Sequence, residues 1–340
     1  MAQQFKKMAG CLAIYCFLWA QAPLVAQTLP KAALKDLQKR EDSLKPFAYR
    51  IVFGQESADR FRADSLFIKM LVRALKVNQS FFYPFDSLQT ISRLYAPDSS
   101  FRIFTWQLKK DEYVYMQHGA IQMRTADGSL KLFPLHDASM FTANPLDSVR
   151  TNNNWIGAIY YRIVLKTFNN KKYYTLLGFD DFTISSSKKW MEVLSFNQNN
   201  EPVFGGPFIS FREDTAKRPV QYRFNIEYKK EASATFNYDP DLDLIVYDNL
   251  ISETNEPDKK DTYIPDGDFE GFKWVNGQWI HQDKVFDFKL KDGDYPKEKL
   301  ILDNNGMPDE QKLMEQSQKN MLKKPAAKTV KPKKDGQPSS

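Results

Sequence analysis

The chain has 340 residues, of which 42% are hydrophobic and 14% aromatic, with two cysteines and a formal net charge of +6. Seven lysines and one aspartate fall between Lys319 and Ser340, and Lys6 and Lys7 lie near the start, which leaves −2 for the body between them. The length is enough for one large domain or two small ones, and with no net positive charge on the body the basic folded surface that nucleic-acid binding needs is not expected.

Lys6 and Lys7 precede an apolar run from Met8 to Trp19, and small residues follow up to Leu24-Val25-Ala26-Gln27. Charge, short apolar run and small residue in that order are a secretory signal peptide, with cleavage after Ala26. The run is too short to span a bilayer, which takes about 20 apolar residues, so no transmembrane helix is expected in the mature chain. Met8-Ala9-Gly10-Cys11 offers the rival reading of a lipid-modified cysteine, but the apolar run continues past Cys11. Because Cys11 and Cys16 both lie in the leader, the mature chain would carry no thiol. Its expected address is the periplasm or the exterior, without disulfides, cysteine nucleophiles or thiolate metal sites.

Residues 27–97 read as a helical segment. Ala33, Leu34, Leu37 and Leu44 share a stripe before Pro46, where the first helix is expected to stop. A second helix spans about Ser57 to Lys76, with Phe61, Ile68, Val72 and Leu75 at helical spacing and Leu66, Phe67, Met70 and Leu71 on a second apolar face. Asp86-Ser87 is read as the cap of a short helix that runs through Leu94 and ends before Pro97.

From 98 to 290 the apolar period becomes two. Strands are expected at Phe101–Leu108, Glu112–Arg124, Leu130–Phe133, Ile156–Thr167, Tyr173–Phe179, Trp190–Phe196, Pro207–Phe211 and Leu242–Tyr247, several joined by turns such as Asp127-Gly128. Gln221–Tyr228 and Ala232–Tyr238 alternate cleanly and read as one hairpin, with Tyr222, Phe224, Ile226 and Tyr228 on its apolar face and Arg223 on its wet face. In Trp274-Val275-Asn276-Gly277-Gln278-Trp279, Asn-Gly is the favoured pair for a type I′ turn and sets the two tryptophans opposite each other. The fold class is α+β: an N-terminal helical layer packed on a large meandering antiparallel sheet, as a sandwich or partial barrel. Residues 291–340 are a Lys/Pro-rich tail without the apolar surface needed to order it; it either solubilises the chain or contacts an anionic surface.

Chemistry-bearing residues are sparse. His118, His136 and His281 stand apart in sequence, with no His-Glu-x-x-His pair and no Gly-x-Ser-x-Gly elbow. Asp239, Asp241 and Asp243 are spaced by two, as are Asp266, Asp268 and Glu270. That spacing aligns carboxylates on one side of an extended segment, as a Ca²⁺ site would require, although neither run matches an EF-hand loop and Pro265-Asp266-Gly267 also reads as a turn. The aromatics fill sheet faces or form a stacking platform for sugar or peptide, for which Trp274, Trp279, Tyr160, Tyr161, Tyr173 and Tyr174 are the candidates. Asp-Ser/Thr followed by a small or aliphatic residue recurs at Asp42, Asp64, Asp86, Asp147 and Asp214. It resembles the O-glycosylation acceptor of exported Bacteroidetes proteins, and reads equally as helix-cap and turn chemistry.

Ser100–Trp106, Gly119–Gln122, Leu130–Leu135, Ile245–Leu250 and Pro265-Asp266-Gly267 together resemble a family of exported Bacteroidetes proteins of uncharacterised function, over about residues 60 to 285. The resemblance implies an envelope address and assigns no activity, cofactor or catalytic residue. The functional expectation is a non-enzymatic envelope module with a protein or glycan partner; the alternative is a carboxylate-dependent hydrolase of polysaccharide or peptide.

Overall fold

The computed structural model describes residues 29–111, 114–214 and 218–285. The leader with Cys11 and Cys16, and the tail from 291, lie outside the described residues. Two helices come first, α1 (Lys31–Phe53) and α2 (Ser57–Leu75). Neither is long and apolar enough to cross a membrane. The first runs straight through Pro46 instead of stopping there. Its buried stripe, Leu37, Leu44, Ala48 and Ile51, resumes beyond the proline. Fully burying Ile51 contributes about 1.5–3 kcal/mol, and Ala48 adds a carbonyl hydrogen bond from Thr90 Oγ1 at 2.8 Å. Together these offset the roughly 3 kcal/mol cost of an interior proline. Asp42-Ser43 and Asp64-Ser65 consequently sit inside helices and cap nothing.

Fifteen strands follow among the described residues. The first sheet is β1 (Ser92–Tyr95), β2 (Phe101–Lys109), β3 (Tyr115–Met123) and β4 (Lys131–His136), in that order. The short helix expected from Asp86 to Leu94 is absent: its second half is β1, whose Ser92–Tyr95 pairs antiparallel with Arg102–Thr105. Its first half is a turn fixed by the Glu41 carboxylate, which accepts the Ser87 N–H at 2.7 Å. The second sheet is β5 (Arg150–Thr151), β9 (Pro202–Phe204), β8 (Ser186–Phe196), β7 (Lys171–Asp180) and β6 (Ile159–Phe168), with β11 (Arg223–Lys229) also paired to β8. The third is β10 (Ile209–Ser210), β15 (Gln278–Gln282), β14 (Tyr263–Val275), β13 (Leu244–Ser252) and β12 (Phe236–Asp239). The sheets are antiparallel apart from the short β10–β15 pairing.

Period-two patterning stacks these layers. On β2, Phe104, Trp106 and Leu108 face the helices, while Phe101 and Ile103 face the second sheet. On β8, Trp190 and Leu194 face the first sheet, and Met191 and Val193 face the third. The order is helices, sheet, sheet, sheet, with the middle sheet covered on both sides. This arrangement corrects the expected hairpin of 221–238: β11 pairs with β8, and β12 pairs with β13 in the next sheet. Of its expected apolar face, Phe224, Ile226 and Tyr228 pack between the second and third sheets, while Tyr222 lies before β11 and outside that cluster. Arg223, expected on a wet face, is fully buried because that face meets the first sheet's side of the stack. Pro265-Asp266-Gly267 lies within β14 and is not a turn; β13 accommodates it by a register shift between Asp248 and Leu250.

The buried Arg223 is held by Glu192, with Nε to Oε2 at 2.7 Å. Its remaining donors reach the carbonyls of Ser148 (2.7 Å), Phe204 (2.9 Å) and Pro145 (3.1 Å). Glu192 Oε1 accepts the Tyr160 hydroxyl, which in turn accepts Trp155 Nε1–H at 2.6 Å. Removing one partner of such a pair strands the other charge and typically costs about 3–5 kcal/mol, whereas apolar replacement of both is often neutral. Arg223→Met is expected to lose about 3–5 kcal/mol in urea denaturation, and the Arg223→Met/Glu192→Met double variant less than the sum of its single changes. An additive double variant would show that the pair does not act as a unit.

Candidate ligand-binding site

Trp274 and Trp279 pair across the Asn276-Gly277 turn, with ring centroids 5.3 Å apart. Both turn residues have positive φ, 50° and 83°, as a type I′ turn requires. The pair is not a platform. Trp279 is fully buried, and its Nε1 donates to Thr175 Oγ1 at 2.8 Å. Trp274 packs on Tyr173, and Tyr160 is fully buried against Glu192. Tyr161 donates to the Phe236 carbonyl at 2.5 Å, and Tyr174 is buried with its hydroxyl on Asp98 at 2.9 Å. Tyr160, Tyr174 and Trp279 are core, Tyr173 and Trp274 are half-buried, and Tyr161 is exposed.

The carboxylates spaced by two also separate. Asp239 caps its own turn, accepting the N–H groups of Asp241 (2.8 Å) and Leu242 (3.0 Å). Asp243 pairs with Lys166 and Tyr238. Asp266 accepts from Asn249 at 2.8 Å and from the Asp268 N–H at 2.8 Å. Glu270 accepts the Tyr247 hydroxyl at 2.6 Å and lies 2.9 Å from His281 Nε2. Asp266, Asp268 and Glu270 therefore do not converge on one point.

Glu270 belongs instead to a cluster that spacing did not reveal. His281 is buried between Glu270 and Asp214, whose Oδ1 is 2.8 Å from Nδ1, and Asp283 stands at 3.3 Å. Burial alone would lower the imidazole pKa, but the hydrogen bonds to Glu270 and Asp214 outweigh it and hold the pKa above its ordinary value. Asp214, His281 and Asp283 have the donor set of a small cation site. Both ring nitrogens of His281 are already engaged, and the Arg218 guanidinium lies on the second oxygen of Asp214. A cation there would have to break the His281–Asp214 hydrogen bond and compete with Arg218. The cluster is a saturated ion network that ties the 211–214 segment to the third sheet.

Two cavities flank β3, on opposite faces of the first sheet. The first, about 390 Å³, lies between α2 and β3–β4, with Leu71, Val72, Met116 and Leu135 in its wall. At its edge the buried Asp64 accepts Trp106 Nε1–H at 2.7 Å and stands 3.3 Å from His118 Nδ1. Burial pushes the Asp64 carboxyl up, and His118 and Trp106 partly offset this. His118 and His136 are direct cross-strand neighbours, so the structure brings together two of the three separated histidines. No Ser, Thr or Cys lines this cavity among the described residues.

The second cavity, about 430 Å³, lies between the first and second sheets, bounded by Tyr115 and Gln117 of β3, Asp180 of β7, and Lys188 and Trp190 of β8. Gln117 and Trp190 are 3% and 6% exposed, yet Gln117 Oε1 and Trp190 Nε1 have no hydrogen-bond partner. Each such buried group costs about 1–3 kcal/mol unless something satisfies it. The orientation of Gln117 is fixed, because its Nε2 donates to Gln107 Oε1 and to Asp180 Oδ1, both at 2.9 Å. Gly157 makes this possible: a Cβ there would sit 2.3 Å from the Gln117 Cβ and 2.7 Å from the Asp137 carboxyl carbon. Asp137 also borders the cavity but is saturated, accepting the N–H groups of Gln117, Ser139 and Gly157 and the Ser139 hydroxyl. Burial pushes the Asp180 carboxyl up to about 6; the backbone hydrogen bond from Phe182 works against this, and the Asp137 charge adds to it.

No family model, curated protein or solved structure matches the chain.

Because the Asp180 value is raised, the folded state keeps a proton that the unfolded chain releases near pH 4. This contribution to stability is full below about pH 4 and is lost as pH rises toward 6. Asp180→Asn should remove about 2–3 kcal/mol of that decline relative to the parent chain, read from urea midpoints between pH 4 and pH 6.5. Parallel curves for parent and variant would refute it. The raised imidazole of His281 acts in a later window, stabilising below about pH 6.5 and losing its effect above that.

Proposed function

We propose that the chain is an exported cell-envelope protein that binds a small ligand without transforming it, and that the ligand sits between the first and second sheets. The observation that carries this reading is that Gln117 and Trp190, which both line one cavity, each hold a buried side-chain atom without a partner, an acceptor (Oε1) and a donor (Nε1). Buried polar groups are ordinarily satisfied, so two orphans of opposite sense beside a cavity of small-molecule size point to a ligand that completes them. The leader-like start, the thiol-free remainder and the resemblance to exported Bacteroidetes proteins support the envelope address.

The catalytic alternative has one observation in its favour. Asp180, whose carboxyl is raised by burial to about 6, is shifted in the direction a general acid requires. A carboxylate-dependent hydrolase also needs a second carboxylate free to act as base or nucleophile. Asp137, the nearest candidate, has both oxygens occupied by four donors.

A thermal-shift screen of small molecules against the parent chain and Trp190→Phe tests the reading. Trp190→Phe is expected to raise the stability of the free protein by about 1 kcal/mol, since it deletes an orphan donor, and to lose the shifts seen with the parent. Compounds should be recovered chemically unchanged. Turnover abolished by Asp180→Asn would replace binding with hydrolysis.

A further inference from the structure

We propose that the cavity between the first and second sheets takes an uncharged, polyhydroxylated ligand, namely a neutral sugar unit. This rests on the binding reading above and adds the chemistry of what is bound.

The polar demand of the wall is mixed. An indole N–H can only donate and an amide oxygen can only accept. Turning the Gln117 amide over would set its oxygen against Gln107 Oε1 and Asp180 Oδ1, which the two Nε2 hydrogen bonds rule out. The ligand must therefore offer an acceptor to Trp190 and a donor to Gln117. A hydroxyl does both through one atom, and several hydroxyls on one ring can also reach the Asp180 carboxyl.

Charge narrows the choice. An anion would meet Asp180 and Asp137, and the one ammonium in the wall is already engaged: Lys188 Nζ lies 3.3 Å from Glu227 and over the Phe182 ring at 3.2 Å. A cation would meet that same ammonium, and the Asp137 carboxylate is already taken up by four donors. A neutral ligand avoids both penalties. The remaining wall suits a sugar: Tyr115, Phe182 and Trp190 contribute aromatic surface, which packs against the C–H face of a pyranose ring while its hydroxyls turn to the polar groups. A volume of about 430 Å³ is near the small end of ligand sites, which run from roughly 300 to 1,000 Å³, and favours one ring over a polymer segment.

Isothermal titration calorimetry on the full chain tests this, with glucose, galactose, mannose, xylose and N-acetylglucosamine as neutral probes and glucuronate and glucosamine as charged ones. At least one neutral sugar is expected to bind, with affinity at least tenfold weaker in Trp190→Phe and in Gln117→Leu; the second variant covers the case in which the first fails to fold. Glucuronate and glucosamine are expected to bind at least tenfold more weakly than the best neutral sugar. Failure of every neutral sugar to bind overturns the proposal, as does neutral-sugar binding that neither variant changes. If a charged probe binds more tightly than the neutral ones and loses that binding in Trp190→Phe, the ligand class is wrong while the cavity stands as the binding site.

Discussion

Glu192 and Arg223 form an ion pair buried inside the stack of layers. The second sheet is covered on both faces, so a polar side chain buried on it must find its partner inside the protein. Glu192 and Arg223 do so across the β8–β11 ladder, where they are register partners as well as an ion pair. The guanidinium then gathers the carbonyls of Pro145, Ser148 and Phe204, and so fixes a connecting segment that has almost no regular structure of its own. Pro145 also borders the cavity between the sheets. Trp190 lies two residues before Glu192 on the same face of β8. The pair that anchors the middle sheet therefore also sets one wall of the proposed site.

Within this layer, satisfied and unsatisfied groups lie close together. Trp155, Tyr160, Glu192 and Arg223 form a continuous chain of hydrogen bonds. The Asp137 carboxylate is saturated by four donors, and Tyr83 and Ser87 bond to the buried Glu41. The His281 network is closed in the same way. Against that background five buried side-chain atoms lack a partner among the described residues, on Gln79, Gln117, Arg150, Trp190 and Gln221. Two of them, the Gln117 acceptor and the Trp190 donor, belong to residues that line one cavity.

Much of the architecture was legible from pattern. The second helix, most strands, the Asn276-Gly277 turn and the segregation of helices before strands follow from local period and turn chemistry. Strand pairing did not. The alternation from 221 to 238 is genuine, but β11 and β12 belong to different sheets, and a local pattern cannot tell a hairpin partner from one thirty residues upstream. The same limit misplaced Arg223: a charged residue opposite an apolar face reads as wet unless its partner Glu192 is known. Pro46 and the Asp86–Leu94 segment failed because tertiary burial and strand pairing outweighed local helix signals. For the first cavity, part of the signal was present. Asp127-Gly128 was read as a turn, and His118 and His136 lie at equal distances from Asp127, which predicts their cross-strand pairing. Trp190 and Gln117 carried no such mark. Their interest comes from hydrogen bonds they do not make, and a sequence contains no record of those.

The position of the cavity follows from residue size along the interface of the first and second sheets. Gly157 lies against Gln117 and Asp137, where any Cβ would clash. That contact holds the two backbones close at this point. The rest of the wall is large and mixed, with Tyr115, Asp180, Phe182 and Trp190. Large side chains keep the layers apart, and because one of them is an indole and another a carboxyl, the space between them is polar as well as aromatic. A close-packed strip beside a lined cavity also gives the site a rigid floor. Gln117 cannot swing away, since Gly157 packs on its stem and its amide is held by two acceptors. A ligand there would meet groups already fixed in orientation, which lowers the entropy cost of binding.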